Sequence, residues 1–276
     1  MWAARAADRP APAGSTRDGT LADLPPGGAE PDGSTVVRVL SWNLRSMRDD
    51  EDALARVIRA CRPDVVLAQE APRFFRWRKH AARLAAKADL VHLTGGATAN
   101  GPLILCALRV TPERTEDVLL PHTPGRHRRG LATAVVRIGA ARLALTSAHL
   151  SLYADERPEQ AAAALRLPQA PPGTHRILAG DVNETPDGPV FRTLARTLRD
   201  CRAVTPWGEE HTFPAAAPVK RIDGIFADPG VEVLGCGVPR GLRGVTDADL
   251  RAATDHLPLL AALRLPAPGH DTAPTP

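Results

Sequence analysis

Six polar residues of this chain share one placement: each stands directly beside an apolar segment. They are Asn43 after VVRVLSW, Glu70 after DVVLAQ, His149 after RLALTSA, Asp181 after RILAG, and Asp255 with His256 before LPLLAAL. Any one of them alone fits a turn residue or a helix cap, and for Asn43 alone that is the simpler interpretation. Because the placement recurs, we expect these side chains to converge where several strands end.

Carboxylates are prominent in this set. Three of them, Glu70, Asp181 and Asp255, could meet at one rim of a sheet together with a fourth carboxylate, Asp223. Their mutual repulsion would raise some of their pKa values or recruit a cation. Since oxygen ligands dominate and no thiolate pair is present, the expected ion is Mg²⁺ or Mn²⁺ before Zn²⁺. Such an ion would neutralise a phosphate oxygen during displacement, with the two histidines supplying proton transfer or hydrogen bonds.

Other catalytic patterns fit worse. The sequence has no GxSxG, GxxxxGK[ST] or HExxH motif, and GCGVPRG at 235–241 lacks the glycine spacing of a dinucleotide site. These alternatives are therefore set aside.

The segments that position these residues alternate between strands and helices. Short apolar runs predict strands at 36–40, 64–69, 103–109, 131–138, 142–149, 176–181, 221–227, 231–235 and 257–264. Helical spacing of apolar residues predicts helices over 54–61, near 156–167, near 189–199, and along a stripe of Phe74, Trp77, Ala81, Leu84 and Ala88. Runs such as LILCAL are apolar throughout, which is typical of strands buried on both faces. The pattern predicts a layered α/β architecture.

Composition divides the chain into a tail and one large domain. Residues 1–35 are rich in Ala, Pro, Gly and Asp and predict a disordered tail, and residues 267–276 predict a second one. The domain is then 36–266, since no later linker interrupts it. The net charge is +4; three Arg against five acids give the first tail −2, so the rest carries +6. This excess is compatible with an anionic substrate.

Four widely spaced cysteines, without a CxxC pair, predict reduced and buried thiols. The first residues have no apolar run of the secretory type, and no stretch of about 18 apolar residues occurs. We therefore expect a cytoplasmic protein without a transmembrane segment.

Six segments resemble signatures of the endonuclease/exonuclease/phosphatase superfamily, whose members include deoxyribonuclease I. They are SWNLR (41–45), LAQE (67–70), TSAHL (146–150), GDVNETPDGPVF (180–191), TFP with KRIDGIF (212–226) and TDHLPL (254–259). They occur in the family's order across nearly all of 36–265. The resemblance implies a four-layer α/β sandwich in which two mixed β-sheets pack face to face with helices outside.

The resemblance also implies roles for the polar residues. Asn43 and Glu70 would hold the metal, with Glu70 the main ligand and Asp255 assisting. Asp181 and Asn183 would lie beside the scissile phosphate. His149 would bind phosphate and could protonate the leaving group. His256 would be a base or a phosphate clamp, with Asp223 accepting its second ring proton; the choice of base between Asp181 and His256 stays open.

Some positions depart from better-characterised branches. Gly224 stands where many relatives have an aromatic residue, and Val182 where Phe is common. Tyr153 follows His149 and so does not match the tyrosine that abasic-site endonucleases carry before it, which argues against abasic-site repair.

Four arginines are secondary candidates for substrate binding. Arg126 and Arg129 lie in the loop PHTPGRHRRG (121–130), Arg45 follows Asn43, and Arg157 follows the His149 strand. A solvated loop is the usual explanation for such a basic run, and phosphate binding is the sharper alternative.

The sequence thus predicts a divalent-metal-dependent phosphodiesterase. Its substrate stays open between nucleic acid, phospholipid and a small phosphodiester, because neither a groove-reading element nor a hydrophobic surface loop is evident. The alternative is a binding or scaffold module that keeps the fold without catalysis. The oligomeric state is also left open by the sequence.

Overall fold

A computed structural model describes residues 20–166 and 169–267 of the chain. Most of the two predicted tails, 1–19 and 268–276, lies outside the described residues. Residues 20–35, predicted as tail, belong to the fold instead. Leu24 is buried, and Gly28–Ala29 pair with Thr35 and Val36. The domain as described therefore begins at Thr20.

The described strands lie in two mixed sheets. They are β1 (Gly28–Ala29), β2 (Thr35–Asn43), β3 (Val65–Gln69), β4 (Val91–Gly95), β5 (Leu103–Cys106), β6 (Val110–Leu119), β7 (Gly130–Ile138), β8 (Ala141–His149), β9 (His175–Asp181), β10 (Arg199–Asp200), β11 (Asp223–Ala227), β12 (Glu232–Gly237) and β13 (Leu259–Leu265). The first sheet has the order β12-β13-β2-β3-β5-β4, with β1 beside β2, and the second has the order β10-β11-β9-β8-β7-β6. Each of the nine predicted strands corresponds to one of these.

The α-helices of the described residues connect and cover the sheets. They are α1 (Glu51–Cys61), α2 (Trp77–Lys87), α3 (Arg157–Arg166), α4 (Pro189–Thr197), α5 (Cys201–Val204) and α6 (Asp247–Ala253). Helix α1 begins at the side chain of Asp50, which accepts the Asp52 and Ala53 N–H groups, and ends at Arg62 in the left-handed conformation.

Successive side chains of the buried strands point alternately toward the other sheet and toward the helices outside. In β2 and β3, Val39 and Leu67 point between the sheets, whereas Leu40 and Val66 pack under α1 and α2. The second sheet packs in the same way against α3 and α4. Both faces of each sheet are therefore covered, which explains the uniformly apolar runs and confirms the four-layer sandwich.

One rim of this sandwich collects the ends of the central strands. Each sheet has one parallel pair, β2 with β3 and β8 with β9, and all its other pairs are antiparallel. Asn43 and Gln69 end the first pair in register, and His149 and Asp181 end the second. The sheets thus present two parallel strand ends each to the same edge, as the sequence predicted for these polar residues.

All four cysteines are buried and free. No helix of the described residues is long and apolar enough to cross a membrane.

Candidate active site

A cavity of about 550 Å³ opens at the rim where the strands end. Six of the eight principal candidates line it: Asn43, Glu70, His149, Asp181, Asn183 and His256. Asp223 lies behind His256, in contact with its ring. Asp255 does not line the cavity, because its carboxylate faces Arg45 Nε at 3.4 Å.

Asp181 lies at the centre of the polar contacts. Its Oδ2 accepts from Asn43 Nδ2 at 3.1 Å and faces the Nε2 atoms of His149 at 3.4 Å and of His256 at 3.7 Å. Its Oδ1 accepts the Asn183 N–H at 2.9 Å. Burial, together with the charge of Asp223, raises the pKa of Asp181 to about 7. Such a carboxyl group is suited to exchanging a proton near neutral pH.

His256 and Asp223 form a buried pair. The ring Nδ1 lies 2.9 Å from Asp223 Oδ2, and the Phe213 ring packs against the imidazole with centroids 4.8 Å apart. Burial alone would lower the pKa of His256, but the charge and hydrogen bond of Asp223 outweigh it and raise the pKa to about 9. The imidazole is therefore cationic at neutral pH, with Nε2–H directed toward Asp181.

His149 has the opposite electrostatics. Arg129 Nη1 lies 3.2 Å from its Nδ1, and because a guanidinium has only donors, Nδ1 must accept. Burial, and next the charge of Arg129, hold the pKa of His149 well below its usual value. The ring is therefore neutral with its proton on Nε2, the atom that faces Asp181.

Glu70 and Asn43 form the wall nearest the first sheet. Glu70 follows β3 with φ near 50°, and Asn43 Nδ2 donates to its Oε1 at 3.2 Å. The Glu70 side chain is 37 % exposed, so its carboxylate reaches the cavity. A carboxylate that reaches open space fits a hard cation, whereas the Asn43 amide oxygen accepts the Arg45 N–H. A tighter group of possible ligands is Asp181, Asp223 and His256, yet two of these are already bonded to each other.

The secondary candidates separate by position. Arg129 lines the cavity, whereas Arg45 pairs with Asp49 and Asp255, and Arg126 pairs with Asp155. Arg157 is buried, donates to the carbonyls of Ser151 and Leu152, and pairs with Glu184, which makes it part of the loop structure.

Sequence reasoning assigned no site role to several residues that line the cavity, among them Arg48, Arg73, Phe74, Phe213 and Lys220. Phe74 is a correction. The predicted apolar helical stripe begins with it, but α2 begins at Trp77 after Arg76 at φ 60°, and Phe74 is 71 % exposed at the cavity mouth. A loop residue three positions before a true helix satisfies the same spacing, so the pattern alone could not distinguish the two.

Gly224 stands where many relatives have an aromatic residue, and here there is no room for a side chain. A Cβ built there would lie 2.5 Å from the Phe226 ring, which itself packs edge-on against Phe191. The ring of Phe226, two residues further along β11, therefore fills the space beside Gly224.

Residues 40–256 match the model of the Endonuclease/Exonuclease/phosphatase family. Among solved structures, the chain is similar to an endonuclease/exonuclease/phosphatase from Bacteroides vulgatus, with a TM-score of 0.69 and 19 % identity over 84 % of this chain and 99 % of that chain.

Two further structures carry more specific names. A mannosyl-6-phosphatase from Bacteroides thetaiotaomicron has a TM-score of 0.66 and 17 % identity over 82 % of this chain and 99 % of that chain. TDP2 from D. rerio, complexed with single strand DNA product, has a TM-score of 0.63 and 21 % identity over 83 % of this chain and 98 % of that chain. A comparison with curated protein sequences found no match. At these identities the likenesses show a shared fold.

Proposed function

The chain belongs to the endonuclease/exonuclease/phosphatase family, and from that premise we propose that it hydrolyses phosphate diesters with Mg²⁺ or Mn²⁺. One observation carries the proposal: three side chains converge on Asp181 Oδ2. They are Asn43 from the first sheet, the neutral imidazole of His149 and the cationic imidazole of His256. A site for a neutral ligand would not need this arrangement of charge.

Glu70 and Asn43 are the residues that would hold the metal, since the Glu70 carboxylate reaches the cavity and the Asn43 amide lies beside it. Asn43 Oδ1 accepts the Arg45 N–H and Nδ2 donates to Glu70, so the amide would turn to offer its oxygen to the ion. The bound ion would supply charge neutralisation at a phosphate oxygen. We assign Asp255 no direct contact with it, because Arg45 already occupies that carboxylate.

We assign Asp181 as the group that takes a proton from water. Its pKa of about 7 places it near the pH at which the ionised carboxylate is abundant and still basic. The oxygen of water then forms a bond to phosphorus, the ester P–O bond breaks, and the departing alkoxide takes a proton from solvent or from the site.

His256 is assigned to the phosphate instead of the water. Because Asp223 keeps it cationic, its Nε2–H is a charge-assisted donor to a non-bridging oxygen. This resolves, as a proposal, the choice of base that the sequence leaves open.

His149 is assigned as a neutral donor. Protonating it would place a second cation beside buried Arg129, so we do not assign it the protonation of the leaving group. Arg129 acts through His149 as a positioning residue, and Asn183 lines the cavity with its side chain tied to the Leu150 carbonyl.

The proposal is tested by assaying the full-length protein on bis(p-nitrophenyl) phosphate, plasmid DNA, RNA and phospholipid vesicles, with Mg²⁺ or with EDTA. Glu70→Ala and His256→Ala are the site variants, and Leu108→Ala is the control because Leu108 is an exposed residue just past the opposite end of β5. We expect metal-dependent turnover that is lost in both site variants and retained in the control. Turnover that persists in both site variants, or inactivity on every ester, would overturn the proposal.

A further inference from the structure

Exposed apolar side chains are concentrated around the mouth of the cavity. Among the described residues, five of the nine large exposed apolar side chains lie on three loops there, namely Phe74, Phe75, Leu152, Tyr153 and Val219. Phe74 and Leu152 line the cavity from opposite sheets, and Val219 precedes Lys220, which lines it from a third loop. We call these loops, at 72–76, 151–154 and 217–220, the mouth loops.

The loop at 72–76 presents two neighbouring phenyl rings to solvent. Phe74 and Phe75 are 71 % and 85 % exposed, and the turn is closed by the Trp77 N–H donating to the Phe74 carbonyl at 3.0 Å. Arg76, in the left-handed conformation, starts α2 immediately afterwards. A turn with two exposed phenyl rings lacks the burial that phenylalanine usually has in a folded protein.

Uncompensated positive charge surrounds these rings. Arg73, Arg76, Arg78 and Lys79 are exposed, and none of them forms an ion pair with any residue that the structure describes. One turn or two further along α2 the pattern changes, since Arg83 pairs with Glu51 and Lys87 with Asp52. The cations without ion-pair partners therefore lie in the mouth loop at 72–76 and at the N-terminal end of α2, which follows it.

We propose that the mouth loops dock the cavity onto an anionic phospholipid surface. Exposed apolar side chains would enter the interface while the adjacent cations contact negatively charged headgroups. The cavity would then face a headgroup phosphodiester, so the docking names a substrate class for the proposed hydrolysis. The choice of substrate rests on the proposed function, whereas the docking itself does not.

Single-stranded nucleic acid would use the same cations but a different set of apolar groups. Bases stack on aromatic rings, and Leu152 and Val219 are aliphatic. Phe75 does not line the cavity, so a base held in the cavity would not stack on it. The mouth loops carry aliphatic side chains on two loops and a second phenyl ring beyond the cavity. A lipid interface can bury apolar side chains of either kind, so this mixture fits a lipid surface. The structure therefore corrects the expectation that the chain has no hydrophobic surface loop.

The test is flotation of the full-length protein with vesicles of phosphatidylcholine alone and of phosphatidylcholine containing phosphatidylserine, in EDTA so that no turnover occurs. We expect binding to the anionic vesicles that weakens with added salt. Phe75→Ala should weaken it roughly tenfold, since one buried Phe side chain supplies that order of partition free energy. Arg76→Gln should weaken it about fivefold on anionic vesicles, as expected for one cation near a charged surface.

Matched controls come from the opposite end of the molecule. Leu108→Ala removes an exposed apolar side chain that is 86 % exposed, and Arg59→Gln removes an exposed cation near the end of α1. Both should bind vesicles like the unaltered protein. Phe75→Ala should also keep its rate on soluble bis(p-nitrophenyl) phosphate, because Phe75 does not line the cavity.

The possible outcomes separate this inference from the proposed function. Absence of vesicle binding with retained hydrolysis of the soluble diester would overturn the inference and leave the function intact. Vesicle binding without hydrolysis of any ester would do the reverse. Salt-sensitive binding of a fluorescent oligonucleotide that depends on Phe74 but not on Phe75, without vesicle binding, would replace the membrane with a nucleic-acid strand.

Discussion

Replacing Asp223 with Asn should change how the reaction depends on pH. The carboxylate lies 2.9 Å from His256 Nδ1 and holds the imidazolium in a buried place, where the pKa is about 9. In Asp223→Asn the amide keeps the shape but removes the charge. Because the charge of Asp223 is then lost while burial opposes the cation and Asp181 and Asp255 still favour it, the pKa of His256 should fall from about 9 toward its ordinary value of 6.5.

The size of the effect follows from that shift. A full return from about 9 to 6.5 corresponds to roughly 3.4 kcal/mol, at about 1.36 kcal/mol per pKa unit. At a pH of about 7.5 the cationic fraction would then fall from roughly 97 % to under about 10 %. If the imidazolium is what stabilises the phosphate, kcat at that pH should fall by up to about tenfold, and the high-pH limb of the profile should move to lower pH by up to about two units.

The assay is the pH profile of bis(p-nitrophenyl) phosphate hydrolysis at saturating Mg²⁺. Asp64→Asn is the control, because Asp64 is also a buried carboxylate with an arginine partner, Arg109, but it lies at the other end of the first sheet. The control should lose stability without a displaced profile. A profile of Asp223→Asn that has the unaltered shape and position would refute the assignment of His256 as a cationic clamp.

Three further predictions concern other charged groups. Arg129→Met should raise the pKa of His149, seen by NMR as a shift of the midpoint of its ring titration toward neutral pH. The variant should lower kcat more than it raises KM, and an unmoved midpoint would contradict the positioning role. In EDTA, Asp181→Asn should be more stable than the unaltered protein at alkaline pH. The pKa of Asp181 is about 7 in the folded protein and 3.8 in the unfolded chain, so the unaltered protein loses stability as pH rises from 3.8 to about 7. If the denaturant midpoints of the unaltered protein and of Asp181→Asn depended equally on pH, that would be inconsistent with this pKa. Arg221→Met alone should destabilise the fold by roughly 3–5 kcal/mol, because it strands the buried Asp200 carboxylate; urea unfolding measures this, and a loss under about 1 kcal/mol would show that the pair is effectively solvated.

The layers and the rim could be predicted because strands buried on both faces have continuous apolar sequences. β3 and β5 are covered on both faces, so their sequences are apolar throughout and stand out from their surroundings. β6 was missed for the opposite reason. It is the edge strand of the second sheet, its residues are mostly exposed, and its sequence VTPERTEDVL contains the charges and proline that edge strands tolerate.

The identities of the site residues could be predicted from their places beside apolar segments and from the family resemblance, but their partners could not. Arg129 and His149 are twenty residues apart, and a basic loop gives no sign of which arginine turns inward. The exposure of Phe74 was likewise hidden, since only the left-handed Arg76 determines where α2 begins. The spacing of apolar residues along the chain predicts well which residues are buried. Contacts across the sandwich depend on how the strands and loops are placed against each other, and the spacing holds no information about that placement.

The measurement that tests the central claim most directly is the single-turnover rate of Asp181→Asn on bis(p-nitrophenyl) phosphate with Mg²⁺, beside Asp64→Asn as the matched control. The substitution keeps the size of the group on which Asn43 and both histidines converge, and removes its negative charge together with its ability to take a proton. We expect a rate lower by roughly 10²–10⁴-fold, the usual contribution of a general base, with the control close to the unaltered protein. A rate for Asp181→Asn within a few-fold of the unaltered protein would contradict the account.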